Sequence, residues 1–582
     1  MTTILPILKQ SPQRESYDAD KGELISTISF TEQKPPLGVL VDNGGGGLWG
    51  RLKKSNVDPD SVATQPSVFD DPFTCEIYRP PLQYENAHRF DPDARWTWRE
   101  EKFLVRKIDW RVMLWAGIMF FALDLDRNNI SQANTDNFLT DLRMTTNDYN
   151  LGNSLFRIAF LIAELPSQLV SKRVGPDVWI PAQMVVWSVV ALCQFWLNGR
   201  ASFLLTRFLL GFLQGGFIPD VVLYLSYFYT KTELPIRLGF FWVSNYIAVI
   251  VSAFLATGIL KLDGVGGHAG WRYLFLIEGA GTLLVGICSF FLLPPGPTQT
   301  KAWYRPKGWF TEREEIILVN RILRDDPSKS DMHNRQGLSV PAIWKALRDW
   351  RMWPLYILGL THMIPVGPPQ NYLTLSLRNL GFNTTQSNLL TIPSSVLGLL
   401  MLLFCVYLSE IIDSRVFATI ILQLWALPLL IALYTFNSQT SQWVYYAVVT
   451  LITGFPYVHP IQVGWASRNS YSVRTRLAFH GQHNSDKNWS ASVYNMFVQA
   501  GAVVYANIYR TKDAPLYKHG NRALIAICSM NIVLYILTYF FYKHLNKRRD
   551  RIWISWSKER QQEYLETTKD EGNQRLDFRF AY

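Results

Sequence analysis

Five cysteines in 582 residues are too few for a disulfide framework. Cys193, Cys288, Cys405 and Cys528 fall inside apolar stretches and Cys75 in a polar one, the pattern of buried or reduced thiols. A nucleotide-binding loop is also missing. The glycine run Gly44 to Gly47 lacks the Gly-Lys-Ser/Thr ending and a preceding strand, so it is expected to be a flexible linker. His480 and His483 have no matching ligands nearby for a metal, and no nucleophile elbow occurs. These absences argue against an enzyme and against an ATP-driven pump, and no cofactor is expected. Met1 to Gln10 carries one short apolar run and no signal-peptide core, so insertion into a membrane is expected to rely on the first spanning helix.

What is present is apolar sequence in long blocks. A mean hydropathy of +0.03 hides them, because polar residues gather in the first hundred positions, the middle and the tail. Many blocks approach or exceed the roughly 20 apolar residues that cross a bilayer. The aromatic share of 14%, with 21 Trp, suits a protein with two membrane interfaces. The net charge of +11 does not point to nucleic acid. Lys543, Lys547, Arg548, Arg549 and Arg551 follow the last apolar block, where cations face an anionic inner leaflet, and no basic patch is interleaved with base-stacking aromatics.

The periodicity predicts an all-α membrane protein with twelve transmembrane helices in two pseudo-symmetric six-helix halves. The first half, 96–293, carries spans near 110–132, 150–171, 178–197, 202–229, 236–260 and 271–293. The second, 351–543, carries spans near 351–376, 387–408, 415–435, 442–468, 489–510 and 522–543. Residues 1–95 are expected to be a disordered cytosolic tail, 294–350 a cytosolic loop and 544–582 a cytosolic tail. Thr97-Trp98-Arg99-Glu100 has the spacing of a capping box and starts an amphipathic lead-in. Gly216-Phe217-Ile218-Pro219 in the fourth span echoes Gly454-Phe455-Pro456-Tyr457 in the tenth, and Asn245 in the fifth echoes Asn495 in the eleventh. Lys172, Arg173, Lys231, Arg237, Arg415, Arg468, Arg474 and Arg476 lie on the side of both termini, which the positive-inside rule places in the cytosol. Asn383-Thr384-Thr385 is a glycosylation sequon on an outward loop.

Several segments resemble the major facilitator superfamily, and within it the anion:cation symporter branch of fungal allantoate permease-like proteins. They are Leu123-Asp124-Leu125-Asp126-Arg127-Asn128-Asn129-Ile130, Glu164-Leu165-Pro166-Ser167, Lys172-Arg173-Val174-Gly175-Pro176 and Arg207-Phe208-Leu209-Leu210-Gly211. To these add Gly270-Trp271-Arg272-Tyr273-Leu274-Phe275-Leu276-Ile277-Glu278-Gly279 and Arg324-Asp325-Asp326-Pro327-Ser328-Lys329. Together with the tail Arg575-Leu576-Asp577-Phe578-Arg579-Phe580, they look most like yeast permeases for sulfonates and other sulfur compounds. The resemblance implies a plasma-membrane importer of a small organic or sulfur-containing anion, driven by the proton gradient and acting by alternating access. It is expected to work as a monomer in the lipid bilayer. An allantoate or vitamin permease of the same family and a non-transporting nutrient sensor are the alternatives.

A charge at bilayer depth costs at least about 2.5–3.5 kcal/mol, so it pairs or lines a cavity. Arg127 and Arg207 are therefore candidates for the substrate anion, since a guanidinium offers a forked donor set to acid oxygens. Asp126 is the candidate for the coupling proton; the competing role is a static Asp–Arg clamp between the first and fourth spans. The resemblance implies Glu seven residues after Arg207, but this chain has Gln214, an amide that cannot release a proton. Asp220 takes over that role or bonds backbone at a kink, and Glu164 is either a proton carrier or structural. Asn245, Tyr372, Tyr457, Asn495 and Gln499 complete the expected substrate site. His362 and His459 are expected to be packing residues or titrating ones. Phe479 to Asn488 interrupts a stretch that is short in relatives, as a lineage-specific loop or a retained intron would.

Overall fold

The computed structural model describes residues 37–38 and 58–582, except 83, 231–232, 331–343, 345–346, 413, 438, 471–488, 569 and 571. The Gly44 to Gly47 run, His480, His483, Arg474, Arg476 and the Phe479 to Asn488 stretch lie outside the described residues.

Helix α1 (Trp98–Ile108) opens on the expected capping box, with Thr97 Oγ1 accepting from Glu100 N at 3.3 Å and Thr97 N donating to Glu100 Oε2 at 2.9 Å. It passes through a π-turn, Asp109–Met113, into α2 (Leu114–Ala133). The first half continues through α3 (Thr146–Val174), α4 (Pro176–Cys193), α5 (Arg200–Gln214), α6 (Phe217–Leu225), α7 (Leu234–Ile259) and α8 (Gly270–Leu292). A linker helix, α9 (Glu312–Asp325), precedes the second half. That half is built from α10 (Trp353–Thr361), α11 (Gly367–Asn371), α12 (Leu373–Asn379), α13 (Thr384–Leu389) and α14 (Ile392–Ile412). Then come α15 (Arg415–Thr435), α16 (Gln442–Thr453), α17 (His459–Asn469), α18 (Trp489–Tyr505) and α19 (Lys518–Ser555).

Among the described residues the chain is all-helical but for isolated bridges. Eight stretches of the described residues are long and apolar enough to cross a membrane. The other four expected spans correspond to α2, which carries charge, to the broken runs α10–α12 and α16–α17, and to α18, an arrangement consistent with twelve crossings. Both echo motifs fall on helix breaks: α5 gives way to α6 at Gly215–Gly216, and α16 to α17 at Gly454–Val458. Freed backbone groups at such breaks are tolerated where protein covers them.

Each half has its own core. Phe120, Phe160, Trp187, Phe217 and Phe241 belong to one buried cluster of the first half, and Phe138, Phe203, Trp271 and Phe275 to another. Leu422, Leu430, Ile452 and Leu524 form a core of the second half, and Tyr356, Trp465, Tyr494 and Tyr535 a further one. None of these clusters contains residues of both halves.

The termini-bearing ends of both halves carry ordered collars, where the sequence suggested tails and a loop. Residues 58–95 are not disordered: Asp70 accepts from Arg324 Nη2 of α9 at 2.6 Å, and Arg89 donates to Glu315 at 2.9 Å. Buried Arg321 of α9 reaches Glu233 at 2.7 Å and the Phe228 carbonyl at 3.0 Å, which clamps the linker beneath α6. On the second half, Asn546 exchanges hydrogen bonds of 2.8 and 2.9 Å with the Phe580 backbone, and Trp465 donates to the Ala581 carbonyl at 2.8 Å. Phe580 stacks on Tyr542 at 5.0 Å. Charge pairs and caps contributed from distant sequence offset the low apolar content of these segments.

Candidate functional site

Three arginines from three helices converge on one ring. The guanidiniums of Arg207 (α5), Arg157 (α3) and Arg127 (α2) lie 4.6, 5.7 and 5.8 Å from the Phe156 centroid. Glycine makes this approach possible: a Cβ on Gly211 would run into the Phe156 carbonyl, so α5 closes on α3 only where side chains are absent. One carboxylate touches the group. Asp124 lies 3.6 Å from Arg127 and accepts from Asn245 Nδ2 at 2.8 Å. Arg127 Nε donates to Gln214 Oε1 at 3.0 Å, and Arg207 donates to Asn153 at 3.3 Å. Arg127 Nη2, Arg207 Nε and Gln214 Nε2 are buried without a partner. Three cations less one carboxylate leave the cluster two charges positive, with donors aimed at no acceptor. Buried guanidinium donors with a net positive charge are groups able to hold an acid group.

The facing wall is aromatic. Tyr457 and His459 pack on Trp242 of α7 at 5.9 and 5.7 Å, and Tyr246 lies 6.4 Å from Tyr457. Among the described residues the Tyr457 hydroxyl and the Asn495 side chain make no hydrogen bond with protein. Gln499 on α18 accepts from Arg157 Nη1 at 3.2 Å. Tyr372 sits one ring further out: its hydroxyl donates to Asn150, and its ring packs on Tyr509, Tyr517 and Tyr149, the last a neighbour of Arg207. His362 and His459 stack on each other at 6.2 Å, His362 with Nδ1 at its own helix's carbonyls.

The expected proton carriers are not brought to the arginines. Asp126 points away from that cluster toward Trp187 and Thr282, its nearest donors, and Glu278 of α8 is its acidic neighbour. Glu278 reaches Ser252 at 3.4 Å. Asp220 accepts from Ser167 at 3.1 Å; Ser167 in turn accepts from Trp179 at 2.9 Å and Gln183 at 2.7 Å. Glu164 neighbours Asp220, with one oxygen unpartnered. The carboxylates thus form two interior groups within the first half, separate from the arginine cluster. Sequence reasoning left out Arg157, Asp124 and Glu278 as site residues. Arg157 stands inside the apolar run Leu155–Leu161, so the same rule that singled out Arg127 applies to it.

The family model for the Major Facilitator Superfamily matches residues 116–506, more than half of the chain. The chain belongs to that superfamily. It is 44% identical over 530 residues to the uncharacterized transporter YIL166C of Saccharomyces cerevisiae, covering 90% of this chain and 95% of that one. It is 28% identical over 464 residues to the major facilitator-type transporter hxnP of Emericella nidulans, covering 78% and 88%. Among solved structures, a bacterial homolog of the human lysosomal transporter Spinster superposes with a TM-score of 0.53 at 14% identity, over 74% of this chain and 96% of that one, a likeness of fold alone.

In this facilitator the two halves meet through polar rungs. Along one face of α3, Asn150 donates to the Tyr509 carbonyl at 2.8 Å, Ser154 accepts from Asn507 at 2.7 Å, and Arg157 donates to Gln499. Thr374 donates to the Ser131 carbonyl at 2.8 Å, and Asn388 to Thr135 at 2.9 Å. These hydrogen bonds between the halves lie on the side away from the collars, and of the three on α3 the Arg157 rung is the deepest. Lower down, the halves touch through rings such as Trp242 on Tyr457 and His459. The transporter is closed on the far side.

Proposed function

We propose that this transporter is a proton-coupled importer of a small organic or sulfur-containing anion, with sulfonates and related sulfur compounds favoured. The arginine cluster carries the reading: three guanidiniums on Phe156, one carboxylate, and three buried donors without acceptors. Arg127 and Arg207 hold the acid group, Gln214, Asn245 and Asn495 supply neutral hydrogen bonds, Tyr457 closes the aromatic side, and Gln499 acts on the site through Arg157. Tyr372 acts at the far-side seam. Asp126, Asp220 and Glu164 are the proton carriers, a reading supported by their burial in the interior of the first half. The protein works as a monomer in the plasma membrane with both termini cytosolic.

Moving one negative charge into a cell costs about 2.3 kcal/mol per 100 mV, so one proton per monovalent anion cancels the electrical cost and a second makes uptake voltage-driven. Alternating access then requires the halves to rock about the arginines. The test is growth and radiotracer uptake of a deletion strain on sulfonates, sulfate esters, allantoate, pantothenate and nicotinate. Growth loss confined to sulfur sources, with uptake that rises as external pH falls and collapses with a protonophore, supports the reading. Loss on allantoate or a vitamin redirects the substrate, and uptake indifferent to pH and protonophore makes the protein a uniporter.

A further inference from the structure

Arg157 belongs both to the arginine cluster and to the seam between the halves. Its guanidinium shares the Phe156 ring with Arg127 and Arg207, and its Nη1 donates to Gln499 of the other half at 3.2 Å. Asn150, Ser154 and Arg157 follow at i, i+4 and i+7, so they share one face of α3 and act as successive rungs. Arg157 lies 11 residues into α3, roughly 16 Å from its far-side end at 1.5 Å per residue. Beyond it, Glu164 and Ser167 on the same helix turn toward Asp220 inside their own half. The zipper therefore ends where the anion cluster begins.

We propose that Arg157 is a switch residue: it serves the bound anion while the far-side seam is open and Gln499 once the seam has closed. The inference rests on the anion reading of the cluster. An acid group offers the guanidinium a full opposite charge and paired oxygens for its forked donors, where Gln499 offers one neutral oxygen, so an anion delivered through an open seam recruits Arg157. Closing the seam brings Gln499 within reach, and the site loses one of its three guanidiniums as it turns toward the collar side. Affinity falls where release is needed. The closed-seam geometry is the released state, with Arg157 on Gln499 and Arg127 Nη2 and Arg207 Nε left without acceptors. Arg157 acts on the substrate and on the halves through the same guanidinium, which a packing residue does not do.

Two arms test this, both in the full-length protein. In the first, Ser387→Cys places a thiol on α13 beside the seam, at a buried hydroxyl that holds no hydrogen bond, and maleimide labelling reports seam opening without any substrate. Gln499→Leu and Arg157→Gln are each expected to raise the labelling rate about tenfold, the loss of one hydrogen bond to a charged group; unchanged labelling in both overturns the proposal. In the second arm the probe is isethionate uptake. Arg157→Gln is expected to raise KM about tenfold, whereas Gln499→Leu lowers the maximal rate and leaves KM unchanged or lower, because Arg157 stays on the anion. Parallel changes in the two variants reduce the pair to a structural rung and overturn the switch. Wild-type protein that takes up no isethionate refutes the sulfonate reading, and the labelling arm then decides the seam role alone.

Discussion

Gln214 sets the charge of the cluster, and its replacement by an acid has a calculable effect. The amide oxygen accepts from Arg127 Nε at 3.0 Å, and its Nε2 is buried without a partner. Gln214→Glu changes little in volume and turns this contact into a charge-assisted pair. Three arginines less Asp124 give a net of two positive charges, and the new carboxylate lowers that to one. A substrate acid held by the arginines sits about 6 Å from it, where two unit charges at an effective permittivity near 20 repel by about 3 kcal/mol. That is roughly a hundredfold in affinity. The assay is the KM for the anion that restores growth in the nutrient screen, measured beside Gln214→Leu, which removes the acceptor without adding charge. Gln214→Glu should raise KM by about two orders of magnitude and Gln214→Leu far less. A KM within twofold of wild type for Gln214→Glu refutes the placing of the anion among these arginines.

Asp124→Asn removes the one carboxylate on the cluster and should lower KM together with the maximal rate, because the anion is held more tightly. Asp126→Asn, at a side chain that points away from the arginines, should leave KM and substrate exchange intact while abolishing uphill accumulation; an altered KM in Asp126→Asn would contradict its separation from the arginines. Gly211→Val drives a side chain into the Phe156 carbonyl, which cannot move without shifting α3, and overpacking of this kind costs about 1–3 kcal/mol. Its folded yield, followed by fluorescence-detected size exclusion, should drop several-fold. Arg324→Ala removes one of the two arginines on Asp70 beneath the first half, and should lower the unfolding temperature of the purified protein by about 3 °C with transport kinetics unchanged.

The helical layout is legible because its signals are local. The Thr97–Glu100 box, the Gly216 and Gly454 breaks and the apolar blocks each lie within a few residues of the feature they set. The site is only partly legible, since helical facing decides it. Asp126 adjoins Arg127 in sequence and is rotated about 100° from it, toward Trp187 and Thr282. Asp124, three residues before Arg127, shares its face and meets it. The clamp weighed for Asp126 therefore falls to Asp124, and the three-residue spacing that gives it was present in the sequence. The order of residues 58–95 was not readable locally at all, because Asp70 and Arg89 find Arg324 and Glu315 more than 220 positions away.

The division of the molecule into two bodies has an energetic basis that bears on all of these variants. Apolar burial stabilises by roughly 25 cal/mol per Å², so a core shared by both halves would bind them too firmly to part. No large buried cluster is shared. The far-side seam is held instead by side chains such as Asn150, Ser154, Thr135 and Asn388, whose hydrogen bonds each contribute a net of about 0.5–1.5 kcal/mol. When that side opens, water takes over the same donors and acceptors, and the cost falls further. Two arrangements of the halves then differ by only a few kcal/mol, within reach of one bound ligand. Substitutions in the seam should accordingly shift which side is open, whereas substitutions in the clusters of either half should cost folded protein.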